Sequence, residues 1–268
     1  MESKTLLVSC VDLEFAQNIA NYFSKNNYNI IIALDTQEKE FEAVNSSIKN
    51  TVIYKVNHNS YEDIQRLVSQ VEVEFKNIDM FVCCNSKILY NYVSELSTAQ
   101  LDELYNYNYK SYLLYTQAIA KNMIKYDVKG SMVYITSFHG VRAYAYDCVF
   151  GSFSAALHRS SESLALQLSA YGIRLNNIAI GANCKYNKDI PFEYGEYDKR
   201  IPLSRYLSYE DIFNSLEFLL SEKSSYITGT VVKLDGGITL AGMPESDIGY
   251  GWDKNRKEFG GKSKYKHM

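Results

Sequence analysis

The sequence lacks the features that mark membrane, nucleic-acid-binding and disulfide-bonded proteins. Its 268 residues hold no apolar run near the roughly 20 residues of a membrane-spanning helix, and its first residues predict neither a signal peptide nor an anchor. The net charge of −3 supplies no positive field for nucleic acid. The five cysteines show no metal-finger spacing. We therefore expect a cytoplasmic protein with reduced cysteines and no membrane or nucleic-acid partner.

Proline and tryptophan are also scarce, with 3 and 1 copies, whereas tyrosine occurs 24 times. Hydrophobic residues make up 46% of the chain, which is enough to build a large core. We interpret the tyrosines as compositional bias, because no ligand follows from their number alone.

Short apolar runs alternate with longer stretches of helical period, which is typical of βαβ units around a parallel sheet. The runs are almost wholly apolar, so helices should cover both faces of the sheet. These observations predict an α/β fold, a Rossmann-type doubly wound sheet of seven parallel strands. The predicted strands span 5–11, 29–34, 51–56, 79–84, 131–136, 173–180 and 229–235.

Helical patterns fill the gaps between the predicted strands, and capping boxes at Ser97 and Ser208 support two of the helix starts. We expect one domain over 1–240, with a flexible insertion at 183–205, and a basic C-terminal tail over 241–268. A ligand should bind where the carboxyl ends of the strands open. The predicted helices span 14–24, 37–48, 60–75, 98–126, 149–170 and 209–221.

Five segments carry a family resemblance over about residues 4–240: IDMFV at 78–82, YNYK around Asn108, GSMVYITS at 130–137, YGIRLNNIAIG at 171–181 and YITGTVVKLDGGITL at 226–240. In order and spacing they resemble the short-chain dehydrogenase/reductase family. The resemblance implies NAD or NADP as cofactor and carbonyl–alcohol redox chemistry. It also implies subunit contacts through the predicted helices at 98–126 and 149–170. These would form a homodimer, a homotetramer or a hetero-oligomer with an active relative.

The catalytic residues that the resemblance implies are only half retained. The family's serine falls on Ser137 and its asparagine on Asn108. Its tyrosine, thirteen residues after the serine, falls on Phe150, and its lysine, four residues further, falls on Ser154. Phenylalanine has no proton to transfer and serine no charge to tune one. We therefore expect the family's mechanism to be lost.

The positions that hold the cofactor in the family have changed as well. The glycine-rich turn after the first strand reads Ser9-Cys10-Val11-Asp12-Leu13-Glu14-Phe15-Ala16, which adds side chains and acids where a diphosphate must lie. One like-charge contact at ~4 Å and an effective dielectric constant near 20 costs about 4 kcal/mol. Alternatively, the acids stabilise the helix N-terminus. The NAD-selecting acid falls on Leu34, the adenine-binding acid on Asn57, and Cys84 stands in the altered segment after the fourth strand.

We favour a pseudo-oxidoreductase, which is a protein of this fold without redox chemistry. We expect it to bind no dinucleotide and no metal. Its role would be ligand-binding, regulatory or that of an oligomer partner, and its ligand would be an unknown small molecule. The alternative is an NAD(P)(H)-dependent oxidoreductase of carbonyl, alcohol or acyl-ketone substrates with a rebuilt site. Tyr144 or Tyr146 could then supply the missing hydroxyl. A non-redox enzyme using Ser137, His139 and the cysteines also stays open. All five cysteines map to the same rim, at positions 10, 83, 84, 148 and 184.

Overall fold

A computed structural model describes residues 3–35, 48–144, 146–182 and 201–240. Within them, seven parallel strands form one sheet in the order β3-β2-β1-β4-β5-β6-β7, which confirms the predicted fold class. Strand boundaries shift slightly from the prediction, most at the last strand, which is shorter. The strands are β1 (Thr5–Cys10), β2 (Asn29–Asp35), β3 (Thr51–Val56), β4 (Met80–Cys84), β5 (Ser131–Ser137), β6 (Arg174–Ile180) and β7 (Val231–Leu234).

Helices cover both faces of the sheet, and both predicted capping boxes are present. Ser97 pairs with Gln100, and Ser208 pairs with Asp211. The predicted helix at 37–48, most of the 183–205 insertion and the 241–268 tail lie outside the described residues. No helix of the described part is long and apolar enough to span a bilayer. The helices are α1 (Leu13–Phe23), α2 (Tyr61–Phe75), α3 (Thr98–Tyr105), α4 (Ser111–Lys125), α5 (Phe150–Ser169) and α6 (Tyr209–Leu220).

The helix predicted at 98–126 is confirmed as one continuous helical run, which contains a π-helical segment at Asn106–Lys110 between α3 and α4. The segment holds Asn108 against the chain that follows β4. Its Oδ1 accepts from the Lys87 N–H at 2.7 Å, and its Nδ2 donates to the Lys87 carbonyl at 2.7 Å. Apolar periodicity does not reveal the extra residue that such a segment inserts. Both ends of the Asn108 amide therefore serve to position the backbone.

Two apolar layers hold the sheet. Leu7 of β1 packs in the layer toward α2 and α4, whereas Leu6 and Val8 pack in the layer toward α1 and α6. Adjacent residues of one strand thus enter opposite cores, which explains why the strands are apolar throughout. The strand order reverses between β1 and β4: β2 and β3 lie on one side of β1, and β4 to β7 lie on the other. The carboxyl ends of β1 and β4 therefore flank the crevice.

A fully buried histidine connects β1 to α4. His58 Nδ1 lies 2.8 Å from the Tyr115 hydroxyl, and Nε2 lies 3.0 Å from the Cys10 carbonyl. Burial in this apolar surrounding lowers the pKa of His58 below its ordinary value. His58 is therefore neutral in the folded protein over a pH range in which the unfolded chain binds a proton.

We expect acid to destabilise the fold through this group. The contribution of neutral His58 to the free energy of unfolding is complete above the pKa of the unfolded state, about 6.5. It is lost as pH falls toward the lower pKa of the folded state, by up to about 1.4 kcal/mol per pH unit. Burial also lowers the pKa of His158, which adds to the same slope. Urea unfolding between about pH 7 and pH 5 should give a shallower pH slope for His58→Gln than for wild type. Parallel slopes would contradict this assignment.

Candidate functional site

The retained serine ends an interior strand of the sheet. Ser137 is the last residue of β5 and is buried. Its Oγ accepts a hydrogen bond from the backbone N–H of His139 at 3.2 Å and so caps a short 3₁₀ helix, Phe138–Gly140. This cap places His139 next to Ser137, the position of the family's catalytic serine.

A buried hydrogen bond joins His139 to an acid in the loop before α5. His139 Nδ1 lies 2.5 Å from Asp147 Oδ2, and the two side chains are only 9% and 4% exposed. A carboxylate can only accept here, so Nδ1 carries the proton and Nε2 is the ring nitrogen left for a substrate. The arrangement has the geometry of an oriented acid–base group.

Aromatic rings enclose this histidine. The buried ring of Phe150, at the position of the family's tyrosine, lies 5.6 Å from the imidazole between centroids. The other ring centroids lie 4.4 Å (Phe138), 4.5 Å (Tyr144) and 5.7 Å (Tyr90) away. The imidazole is therefore the ionisable ring beside the place where the phenol is missing.

The short 3₁₀ helix packs closely on α5. A Cβ added to Gly140 would lie 2.7 Å from the Ala155 nitrogen, so only glycine permits this approach. Ser154, at the position of the family's lysine, is buried in the same packing surface. The structure thus places Phe150 against His139, and Ser154 beside the 3₁₀ helix that Ser137 caps.

The two loop tyrosines take different directions. The ring of Tyr144 lies against His139, whereas the Tyr146 hydroxyl lies 3.4 Å from the Tyr92 hydroxyl, with the rings 4.6 Å apart. The hydrogen bond to Tyr92 raises the pKa of Tyr146. Tyr146 therefore faces another tyrosine and is a weaker acid than an ordinary phenol.

The first βα turn is less obstructed than its sequence suggests. Phe15 packs against α6, with ring centroids 5.8 Å from Phe213 and 5.9 Å from Tyr209, and Glu14 Oε1 accepts from the Tyr209 hydroxyl at 3.2 Å. These two side chains do not fill the turn, and Ala16 is buried in the core. The expectation that Glu14 faces a diphosphate is thus not met in this arrangement.

Asp12 is the acid that stays at the helix N-terminus. Its Oδ1 accepts from the Phe15 N–H at 3.0 Å and caps α1. An Asp cap satisfies a helix amide that a phosphate oxygen would otherwise use. The alternative interpretation of the acids, as helix stabilisers, therefore describes Asp12.

The adenosine side offers few polar groups. Leu34 is fully buried in the core, and the neighbouring Asp35 is 4% exposed. Burial and a hydrogen bond to Asp35 raise the pKa of Tyr107, so this carboxylate is directed into the protein. Asn57 is exposed, and its Oδ1 accepts from the Asn59 N–H at 3.0 Å. Of these residues, only Asn57 could contact an adenine.

Three cysteines converge at the ends of β1 and β4. The Ser9 hydroxyl donates to Cys83 Sγ at 3.3 Å, and Cys84 Sγ donates to the Ser9 carbonyl at 3.1 Å. Cys148 is exposed, and Cys184 lies outside the described residues. Within the described ranges, no three His, Cys, Asp or Glu side chains are placed to share a metal ion. Burial raises the pKa of Cys83 to about 12, so this thiol is unreactive near neutral pH.

The crevice offers polar groups at one end and an obstacle at the other to a nicotinamide dinucleotide. Ser137 and His139 provide polar groups at the end of β5. At the first turn the helix N-terminus is present, but Asp12 occupies its Phe15 N–H. A diphosphate must displace that carboxylate, at a cost of about 1 kcal/mol for the lost cap, and then tolerate its charge.

Asp147 is the functional candidate that the sequence did not reveal. It follows His139 by eight residues in an irregular loop, and no periodicity links the two. The only available signal was an acid between the retained serine and the position of the missing tyrosine.

Comparison with known proteins identifies the family of the chain. A family model described as enoyl-(acyl carrier protein) reductase matches residues 14–239. An uncharacterised oxidoreductase of Bacillus subtilis is 24% identical over 88% of this chain and 98% of its own length. The 3-oxoacyl-[acyl-carrier-protein] reductase of Rickettsia bellii is 28% identical, over 90% of this chain and 98% of its own.

Solved structures show the same fold. ElxO with NADP bound has a TM-score of 0.80 at 22% identity, over 89% of this chain and all of that chain (100%). A short-chain dehydrogenase/reductase from Serratia marcescens has the same score and identity, over 89% of this chain and 98% of its own. Since the family model spans most of the sequence, the protein belongs to the short-chain dehydrogenase/reductase family.

Proposed function

We propose that the protein is an NAD(P)-dependent oxidoreductase that interconverts carbonyl and alcohol groups, with His139 as its acid–base residue. The hydrogen bond between His139 and Asp147 carries this proposal, because it orients an ionisable ring beside Phe150. Relatives that cover almost the whole chain are named as reductases, which supports the reaction class. The function is therefore the alternative of the sequence analysis, with a histidine in place of a relocated tyrosine.

The proton chemistry follows from the dyad. A bound nicotinamide supplies or accepts the hydride. In reduction, protonated His139 donates from Nε2 to the carbonyl oxygen while Asp147 holds Nδ1–H and stabilises the cation. Ser137 Oγ already accepts from the His139 N–H, so its own proton is free to bond to the same oxygen. The aromatic walls around His139 favour a compact, apolar carbonyl substrate.

The test is turnover by the purified full-length chain. NADH and NADPH are each mixed with an aldehyde, a diketone and a 3-oxoacyl thioester, and oxidation of the nicotinamide is followed by absorbance. Carbonyl-dependent oxidation supports the proposal. If calorimetry detects neither dinucleotide at millimolar concentration, the proposal is wrong.

A second candidate keeps the fold without redox chemistry, as a ligand-binding or regulatory partner in a homo- or hetero-oligomer. The Asp12 cap favours it, because a carboxylate already satisfies an amide of the phosphate-binding helix end. This candidate predicts that removing the Asp12 charge does not create dinucleotide binding. Dinucleotide binding by a variant without the Asp12 charge therefore distinguishes the two functions.

A further inference from the structure

We propose that Cys10 and Cys84 form an oxidisable thiol pair that closes to a disulfide between the ends of β1 and β4. The two residues are direct partners in the parallel pairing of these strands. The Cys10 thiol is also close enough to contribute to the raised pKa of Cys84. This inference does not depend on the proposed function.

The backbone geometry suits a disulfide. Neighbouring strands lie about 4.8 Å apart, within the range of Cα separations that disulfides bridge. Cys10 is the last residue of β1 and Cys84 the last of β4, so the chain beyond each is free of sheet hydrogen bonds. Both side chains pack in the layer toward α1 and α6, so the two sulfurs lie on the same face of the sheet.

The neighbouring thiol is not equivalent. Cys83 is paired in register with Ser9, and it packs in the core layer opposite to that of Cys10. Side chains of adjacent strand residues point to opposite faces of a sheet. Cys83 is therefore a built-in control: it has the same chemistry one residue away but cannot reach Cys10.

The two thiols differ in access. Cys84 is partly exposed toward the crevice, whereas Cys10 is fully buried. A small peroxide should therefore reach Cys84 before Cys10, and the raised pKa of Cys84 makes this attack slow near neutral pH. The Cys84 sulfur displaces water from hydrogen peroxide to give a sulfenic acid, and the Cys10 sulfur then displaces the second water to form the S–S bond. Two thiols lose two electrons and two protons in total, and one peroxide becomes two waters.

The disulfide would cross-link the two strands that flank the crevice. Cys10 Sγ now donates to the Asp12 carbonyl and Cys84 Sγ to the Ser9 carbonyl, and both bonds are lost on oxidation. The cross-link closes a loop of about 75 residues, which should raise Tm by roughly 5–10 °C. Oxidation thus fixes the first turn, where Asp12 caps α1.

The test is to map cysteine oxidation in the full-length protein. Reduced protein is treated with hydrogen peroxide, free thiols are blocked, and digested peptides are analysed by mass spectrometry. We expect a Cys10–Cys84 cross-link that dithiothreitol reverses. Burial and the neighbouring Cys10 thiol raise the pKa of Cys84, so the reaction should be faster at about pH 9 than at pH 7.

Variants assign the partners. Cys83→Ser should still form the cross-link, and Cys84→Ser should not. The wild-type peptide map needs no variant, so a poorly folded mutant leaves the test intact. Cys84 pairing with Cys148, or overoxidation of Cys84 while Cys10 stays open to alkylation after denaturation, would overturn the proposal.

Discussion

Replacing His139 by Gln should lower kcat for carbonyl reduction by roughly 10²–10⁴-fold. Glutamine keeps a polar group near Asp147 but has no ring nitrogen that can both accept and donate a proton. Asp147→Asn should also lower kcat, by roughly 10–10³-fold, because an amide can donate to Nδ1 and so favour the wrong tautomer of the ring. Steady-state kinetics at several pH values measures both effects.

Tyr146→Phe is the matched control for these two variants. Tyr146 lies in the same loop as Asp147, but its hydroxyl faces Tyr92. We expect its kcat to stay within about twofold of wild type, whereas a loss comparable to that of His139→Gln would move the acid–base role to a tyrosine. If His139 were purely structural, His139→Gln would lower Tm and leave the pH profile of the remaining activity unchanged.

The fold was largely predictable because its strands are buried on both faces. Apolar runs such as 29–34 and 131–136 have no polar face, and only a helix-covered parallel sheet accommodates them. The π-helical segment between α3 and α4 was not predictable, because local apolar periodicity does not mark the extra residue that it inserts.

The site was predictable in position but not in chemistry. Spacing from Ser137 located Phe150 and Ser154, since one strand and one helix carry all three. The partner of His139 comes from an irregular loop, whose path depends on packing. The direction of Glu14 likewise depends on Tyr209 of α6, far along the chain. Tertiary contacts therefore decide which acids face the crevice.

Replacing Asp12 by Asn should tighten NADPH binding by roughly 10–100-fold. Asparagine caps helices about as well as aspartate, so α1 keeps its cap while the charge disappears. A like charge at ~4 Å costs about 4 kcal/mol at an effective dielectric constant of 20, and partial exposure of Asp12 reduces this to roughly 1.4–2.8 kcal/mol. Calorimetric titration of both proteins with NADPH measures the difference.

Glu14→Gln separates this local effect from net charge. It removes the same charge two residues away, but Glu14 is held by the Tyr209 hydroxyl on the α6 side. We expect its affinity for NADPH to change by less than about threefold, with the small residual change decreasing in salt. Equal gains in both variants would mean that overall charge, not the Asp12 cap, limits binding. Absence of binding in wild type and Asp12→Asn alike would favour the family member without redox chemistry, because the turn would then reject a diphosphate for reasons other than charge.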